Sequence, residues 1–282
     1  MINRILRQIL FSVFIFAPCV SDAYSPKKEA LGGSVRSGIP VEGLFTNHAS
    51  MAGLTGSTIF GYYSKTKIRD FNDSGRAFAV GVYDGTNTVK GGLAFIREGR
   101  PHLYGSTPVY RDRAKIRSGV GMQLWSALQA GLLTDYTIQY LNSKATDKFF
   151  NVSVGFAYQV FRDLRFGVLY ENLREKAGEE PPNVGAGLRY DVAGPLVAYG
   201  DWVYVVAGSE KKKKSWNLGL EFLVVSDLVI RGGIFSSQLT SHRGYSAGLG
   251  WQAARSSIEY AYRTTTHSPI EREHTLALTV QM

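Results

Sequence analysis

The sequence predicts an all-β fold: a transmembrane, antiparallel, up-and-down β-barrel of about fourteen strands with a short N-terminal hatch segment. Three observations predict it. Apolar and small-or-polar residues alternate from residue 55 to the end. Short and long connections also alternate along the same stretch. The chain opens with an export signal, and no later apolar run is long enough to span a bilayer as a helix.

The opening segment reads as a cleaved signal peptide over residues 1–23. Arg4 and Arg7 form a basic start, residues 9–17 are apolar except for Ser12, and Ser21-Asp22-Ala23 offers small residues at the cleavage positions. An apolar core of this length falls well short of the roughly twenty residues that a spanning helix needs. The single cysteine, Cys19, lies inside this segment, and Pro18 precedes it where a lipoprotein site needs a small residue. The mature chain then has no cysteine, so backbone pairing and packing must stabilise it.

Residues 24–54 do not alternate. Gly32-Gly33, Gly38-Ile39-Pro40 and the run from Asn47 to Leu54 suggest a folded segment ahead of the first strand. From there the barrel is expected to occupy residues 55–282. Strands are predicted near 56–67, 75–84, 87–97, 113–124, 129–141, 148–160, 164–174, 183–191, 195–207, 214–224, 228–237, 244–253, 256–265 and 273–282. The last strand shows the pattern well: Leu276, Leu278, Val280 and Met282 share one face, and Thr275, Ala277, Thr279 and Gln281 the other. An even count places both chain ends of the barrel on the short-turn, periplasmic side.

A repeat runs through these strands. Gly155-Phe156-Ala157-Tyr158, Gly187-Leu188-Arg189-Tyr190, Gly219-Leu220-Glu221-Phe222 and Gly248-Leu249-Gly250-Trp251 share the form Gly-apolar-x-aromatic, and Gly121-Met122-Gln123-Leu124 is a weaker copy. Their spacing near 30 residues matches a hairpin of a large meander, two strands with one short and one long connection. Long polar connections are expected at 68–74, 98–112, 142–148, 174–182, 208–214, 236–243 and 264–272. Aromatics near strand ends, including Tyr62, Tyr63, Phe149, Phe150, Trp202, Tyr204 and Trp251, suit girdles at the two membrane interfaces.

The non-alternating segment followed by fourteen strands resembles the outer-membrane fatty-acid and aromatic-hydrocarbon transporter superfamily. The shared motif is an Asn-Pro-Ala-Gly-Leu-like run just before strand one; here Asn47 and Ala52-Gly53-Leu54 match it, with extra residues and no proline. The resemblance implies a hatch in the lumen, including Asn47, His48 and Gly53, and passage of small hydrophobic molecules. The final strand is similar to the terminal signal read by the barrel-insertion machinery, with Met282 in place of the usual Phe.

Charges on the predicted inward face form the candidate lumen lining: Lys115, Arg117, Asp135, Arg165, Glu171, Arg189, Asp201, Glu221, Arg231, Glu259 and Arg263. A charge facing lipid at midplane costs roughly 2–4 kcal/mol, which drives these groups inward. Arg189 with Asp201, and Glu221 with Arg231, flank short turns and are expected to face each other. They could prop the lumen as salt bridges or line it for a solute.

No catalytic group, metal site or cofactor is expected. Gly244-Tyr245-Ser246-Ala247-Gly248 matches G-x-S-x-G, but that motif needs a strand-to-helix turn, and here it lies within a strand. The five histidines, His48, His102, His242, His267 and His274, show no metal-ligand spacing. The mature net charge of +8 follows from the +9 of the whole chain, and the lysine run 211–214 in an outer loop could face lipopolysaccharide phosphates. Expected partners are outer-membrane lipids and lipopolysaccharide, the insertion machinery, and a hydrophobic small molecule, with no nucleic acid. A non-transporting anchor or partner subunit, and a general diffusion porin, remain the alternative functions.

Overall fold

The computed structural model describes residues 25–31, 33–68, 74–104, 107–141, 144–174, 181–207, 212–238, 242–266 and 270–282, with residues 100–111 and 144 described by their backbone. The signal-peptide segment 1–23, Lys211 and His267 lie outside the described residues.

Alternating sequence becomes wall. Fourteen strands run β1 Gly56–Ile68, β2 Ser74–Gly85, β3 Val89–Tyr104, β4 Thr107–Gln123, β5 Leu128–Leu141, β6 Lys144–Gln159, β7 Leu164–Glu171, β8 Asn183–Ala193, β9 Leu196–Val205, β10 Lys214–Val225, β11 Leu228–Ser237, β12 His242–Gln252, β13 Ser256–Thr265 and β14 Glu271–Gln281. Each pairs with its sequence neighbours, and β1 pairs with β14 from Thr58↔Gln281 to Ile68↔Glu271, so the sheet closes on itself. Closure leaves no strand edge, as a wall in hydrocarbon requires. In β14 the two faces separate cleanly: Leu276 and Leu278 are each 51% exposed on the outer surface, whereas Thr275 and Ala277 are 1% and 3% exposed inside.

The expected count and order of strands match the structure, and two expectations are corrected. The predicted long loops 98–112 and 142–148 are mostly sheet in their described residues, β5 and β6 pairing as far as Leu141↔Lys144. β3 and β4 continue pairing as far as Tyr104↔Thr107, because a paired ladder satisfies polar backbone groups as well beyond the membrane as within it. Secondly, Tyr62 and Phe149 do not belong to an outer girdle. Tyr62 is 4% exposed and stacks inside the barrel against Phe60 and Phe45, with ring centroids 5.0 and 5.1 Å away. Phe149 faces an inner recess. Parity decides this: in each aromatic doublet one ring must face in, and Tyr63 and Phe150 are the outward members.

The described residues 25–31 and 33–54 lie inside the barrel. They form helix α1, Pro26–Ala30, and two 3-10 turns, Pro40–Glu42 and His48–Gly53. Ser25 caps α1 by accepting from the Lys28 amide at 3.3 Å, and Asn47 caps the second turn by accepting from the Ala49 amide at 3.1 Å. Two apolar clusters join this segment to the wall. Leu44, Phe45, Met51 and Leu54 pack with Phe60, Tyr62, Tyr83 and Leu133. Leu31, Val35 and Ile39 pack with Tyr199.

Candidate functional site

The candidate site is the filled lumen. Close approach of the inner segment to the wall depends on the repeated glycines. All five face inward against it: Gly121 and Gly155 at the Asn47–His48 turn, Gly187 at Ser37, Gly219 at Leu31 and Gly248 at Ala30. A methyl group at Gly121 would stand 2.7 Å from the His48 carbonyl oxygen, and at Gly219 2.8 Å from that of Leu31. These are backbone atoms, which cannot yield cheaply. The repeat therefore marks a ring of glycines around the plug as well as a hairpin period.

Charged side chains fasten the segment to that ring. Asp201 on β9 accepts from the backbone amides of Val35 and Arg36, each at 2.9 Å, and from the Arg36 guanidinium at 3.4 Å. Arg36 also pairs with Glu171 on β7 at 2.9 Å. At the helix, Glu29 pairs with Arg263 at 2.7 Å and Lys27 with Glu221 at 3.2 Å. Arg263 lies 3.9 Å over the Phe235 ring. Arg117 holds Asp135 through two bonds, at 2.7 and 2.8 Å, and donates to the Leu44 carbonyl at 2.9 Å. Paired forks of this kind are the stronger class of charge-assisted hydrogen bond.

The remaining lining residues face in but tie the wall to itself. Arg231 joins Glu221 at 2.6 Å and Glu259 at 3.3 Å. Lys115 reaches Glu98 at 3.8 Å, and Arg165 donates to Gln129. Of the two expected cross-hairpin pairs, Glu221 with Arg231 forms and Arg189 with Asp201 does not. In the register Asp201 stands opposite Gly187, two residues from Arg189, and Arg189 pairs instead with Asp191 at 3.1 Å.

Asn47 and His48 have defined jobs. The Asn47 amide donates to the carbonyls of Arg36 at 2.9 Å and of Phe156 at 2.8 Å, joining plug to plug and plug to wall. His48 Nδ1 lies 3.0 Å from the Gly43 carbonyl, so Nδ1 carries the proton and Nε2 is the lone pair. Nε2 is buried and lacks a hydrogen-bond partner. Burial holds the ring down to about 4, against the pull of the Gly43 bond, so it is neutral. Burial, reinforced by Glu259, pushes the Glu42 carboxyl up to about 8. Gly53 packs against Pro40, where an added methyl would come to 3.0 Å of the ring.

Lys27, Glu29, Arg36 and Glu42 were not singled out from the sequence. The available signal was their position: charges in a segment bound for a lumen need partners among the inward charges of the wall. Ser246 lies mid-strand and buried, and its hydroxyl donates to the Ala30 carbonyl at 3.0 Å, which gives it a fastening role. Among the described residues no cluster of His, Cys, Asp and Glu could hold a metal ion.

No protein-family model matches the chain, and no curated protein sequence matches it. Solved structures do. The CymD monoaromatic hydrocarbon channel superposes with a TM-score of 0.74 at 12% identity, over 92% of this chain and 98% of that one. The Pseudomonas putida toluene transporter TodX gives 0.73 at 12%, over 93% and 99%. A Pseudomonas aeruginosa FadL homologue gives 0.73 at 10%, over 94% and 100%. The chain has the fold of these channels. At such low identity the likeness carries architecture, and function has to be argued from the lumen itself.

Proposed function

We propose that this barrel passes small hydrophobic solutes across the outer membrane and that residues 25–54 act as its hatch. The carrying observation is how the plug is fastened. It is held by two apolar clusters and by discrete polar contacts, while Glu42 Oε2, Ser34 Oγ, Ser37 Oγ and Arg36 Nε are buried without hydrogen-bond partners. Each such group costs roughly 1–3 kcal/mol, so seating is a compromise that a modest perturbation can shift. The shared fold supports the solute class, since two of the structures it resembles are described as a monoaromatic hydrocarbon channel and a toluene transporter.

Planar-bilayer conductance and toluene entry into proteoliposomes test the reading. The intact protein should give little steady conductance yet admit toluene faster than protein-free vesicles. Large steady conductance would favour a general diffusion porin. Absence of toluene flux, together with co-purification of a stable partner, would favour a non-transporting subunit.

A further inference from the structure

The outer surface carries a pattern that the lumen does not explain. On six strands an outward aromatic is followed, two positions nearer the long-loop end, by an outward basic residue. Tyr63 precedes Lys65 on β1, Phe78 lies two from Arg76 on β2, and Phe95 precedes Arg97 on β3. Phe150 lies two from Lys148 on β6, Trp216 from Lys214 on β10, and Tyr245 from Arg243 on β12. Two residues of strand rise roughly 7 Å. Aromatic rings favour the headgroup level, so the basic groups stand one step further out, at the phosphates.

The basic groups are densest across β14, β1, β2 and β3. Lys65 stands opposite His274, and Lys67 stands opposite Arg272. Like charges directly opposite in a sheet are destabilising, so such a row calls for an anionic neighbour. Among the described residues, Asp112 is the one acidic side chain facing out at this height, and it pairs with Arg97 at 2.8 Å. Beside that pair a hollow of about 370 Å³ opens on the outer wall, walled by Phe95, Ile116, Tyr136 and Tyr140. Cationic groups next to an apolar hollow suit a phosphorylated headgroup with its acyl chain.

We propose that this sector binds the phosphate groups of lipopolysaccharide, with Lys65, Lys67 and Arg272 meeting the phosphates and the β3–β5 hollow receiving an acyl chain. The proposal rests on placement in the outer membrane and is independent of what crosses the lumen. The charges face lipid, so they can bind glycolipid whether or not the plug ever moves.

The test uses the full protein in detergent with deep-rough lipopolysaccharide as probe, and reads bound glycolipid by native mass spectrometry. The triple variant Lys65→Gln, Lys67→Gln, Arg272→Gln should bind at least tenfold more weakly. Phosphatase-treated lipopolysaccharide should bind the unaltered protein correspondingly weakly, which needs no variant at all. Binding of the variant within twofold of the parent, or equal binding of phosphorylated and dephosphorylated glycolipid, overturns the proposal. Should the triple variant lose its folded gel mobility, Lys65→Arg with Arg272→Lys must bind like the parent while Lys67→Gln alone binds more weakly; equal binding by all three overturns it. Toluene flux through the folded triple variant should be unchanged, so failure here and failure of the transport reading give different results.

Discussion

The carboxylate of Asp201 holds the plug at three points, because it accepts from two consecutive backbone amides and a guanidinium at once. Breaking a buried pair by removing one partner costs about 3–5 kcal/mol. Asp201→Ala should therefore release the Val35 and Arg36 amides, leave the Arg36 guanidinium on Glu171, raise hydrogen exchange at residues 33–38, and leave the strands protected. Glu42 offers a pH handle with a definite sign. Its raised value means the folded form holds a proton that the free segment has already lost. Seating is then fully favourable below the ordinary carboxylate range and weakens as pH rises through about 8. Glu259, Lys27, Arg231 and the Tyr62 hydroxyl, 3.4 Å from Oε1, surround the group. Glu42→Gln should flatten the alkaline rise in plug hydrogen exchange.

At the level of elements, the glycine ring and the plug depend on each other. Gly131 lies on β5 directly against the His48–Ala49 backbone. Gly131→Val would overpack that contact by about 1–3 kcal/mol or more, and the plug should give way before the wall. Limited proteolysis within residues 33–54 is the readout, together with retained folded gel mobility. Gly61, where an added methyl meets nothing within 4 Å, supplies the control, and Gly61→Ala should change neither. The strands were legible in the sequence because one period sets both their faces. Leu276 and Thr275 could be sorted by parity alone. The plug was legible only as a break in that period. Which charge meets which depended on register, so Arg189 with Asp201 failed where Glu221 with Arg231 held. The glycine repeat was visible, but its second meaning needed the plug in place.

For the whole molecule, closure through β1 and β14 predicts cooperative resistance to unfolding. The detergent-extracted protein should migrate differently on gels before and after boiling. A single mobility, or recovery from the soluble periplasm, would contradict the barrel. If residues 25–54 act as the proposed hatch, intact conductance should be low, since a covalently attached segment packs within the lumen.

That attachment has a consequence in time. The plug ends at Leu54 and β1 begins at Gly56, while β1's other neighbour, β14, is the last strand of the chain. The plug thus leads directly into one strand of the closing seam. Once the seam is shut, a folded segment wedged against a ring of glycines has no sideways way in. After that, entry is left to the two ends of the barrel, so the wall itself helps to retain residues that are already seated.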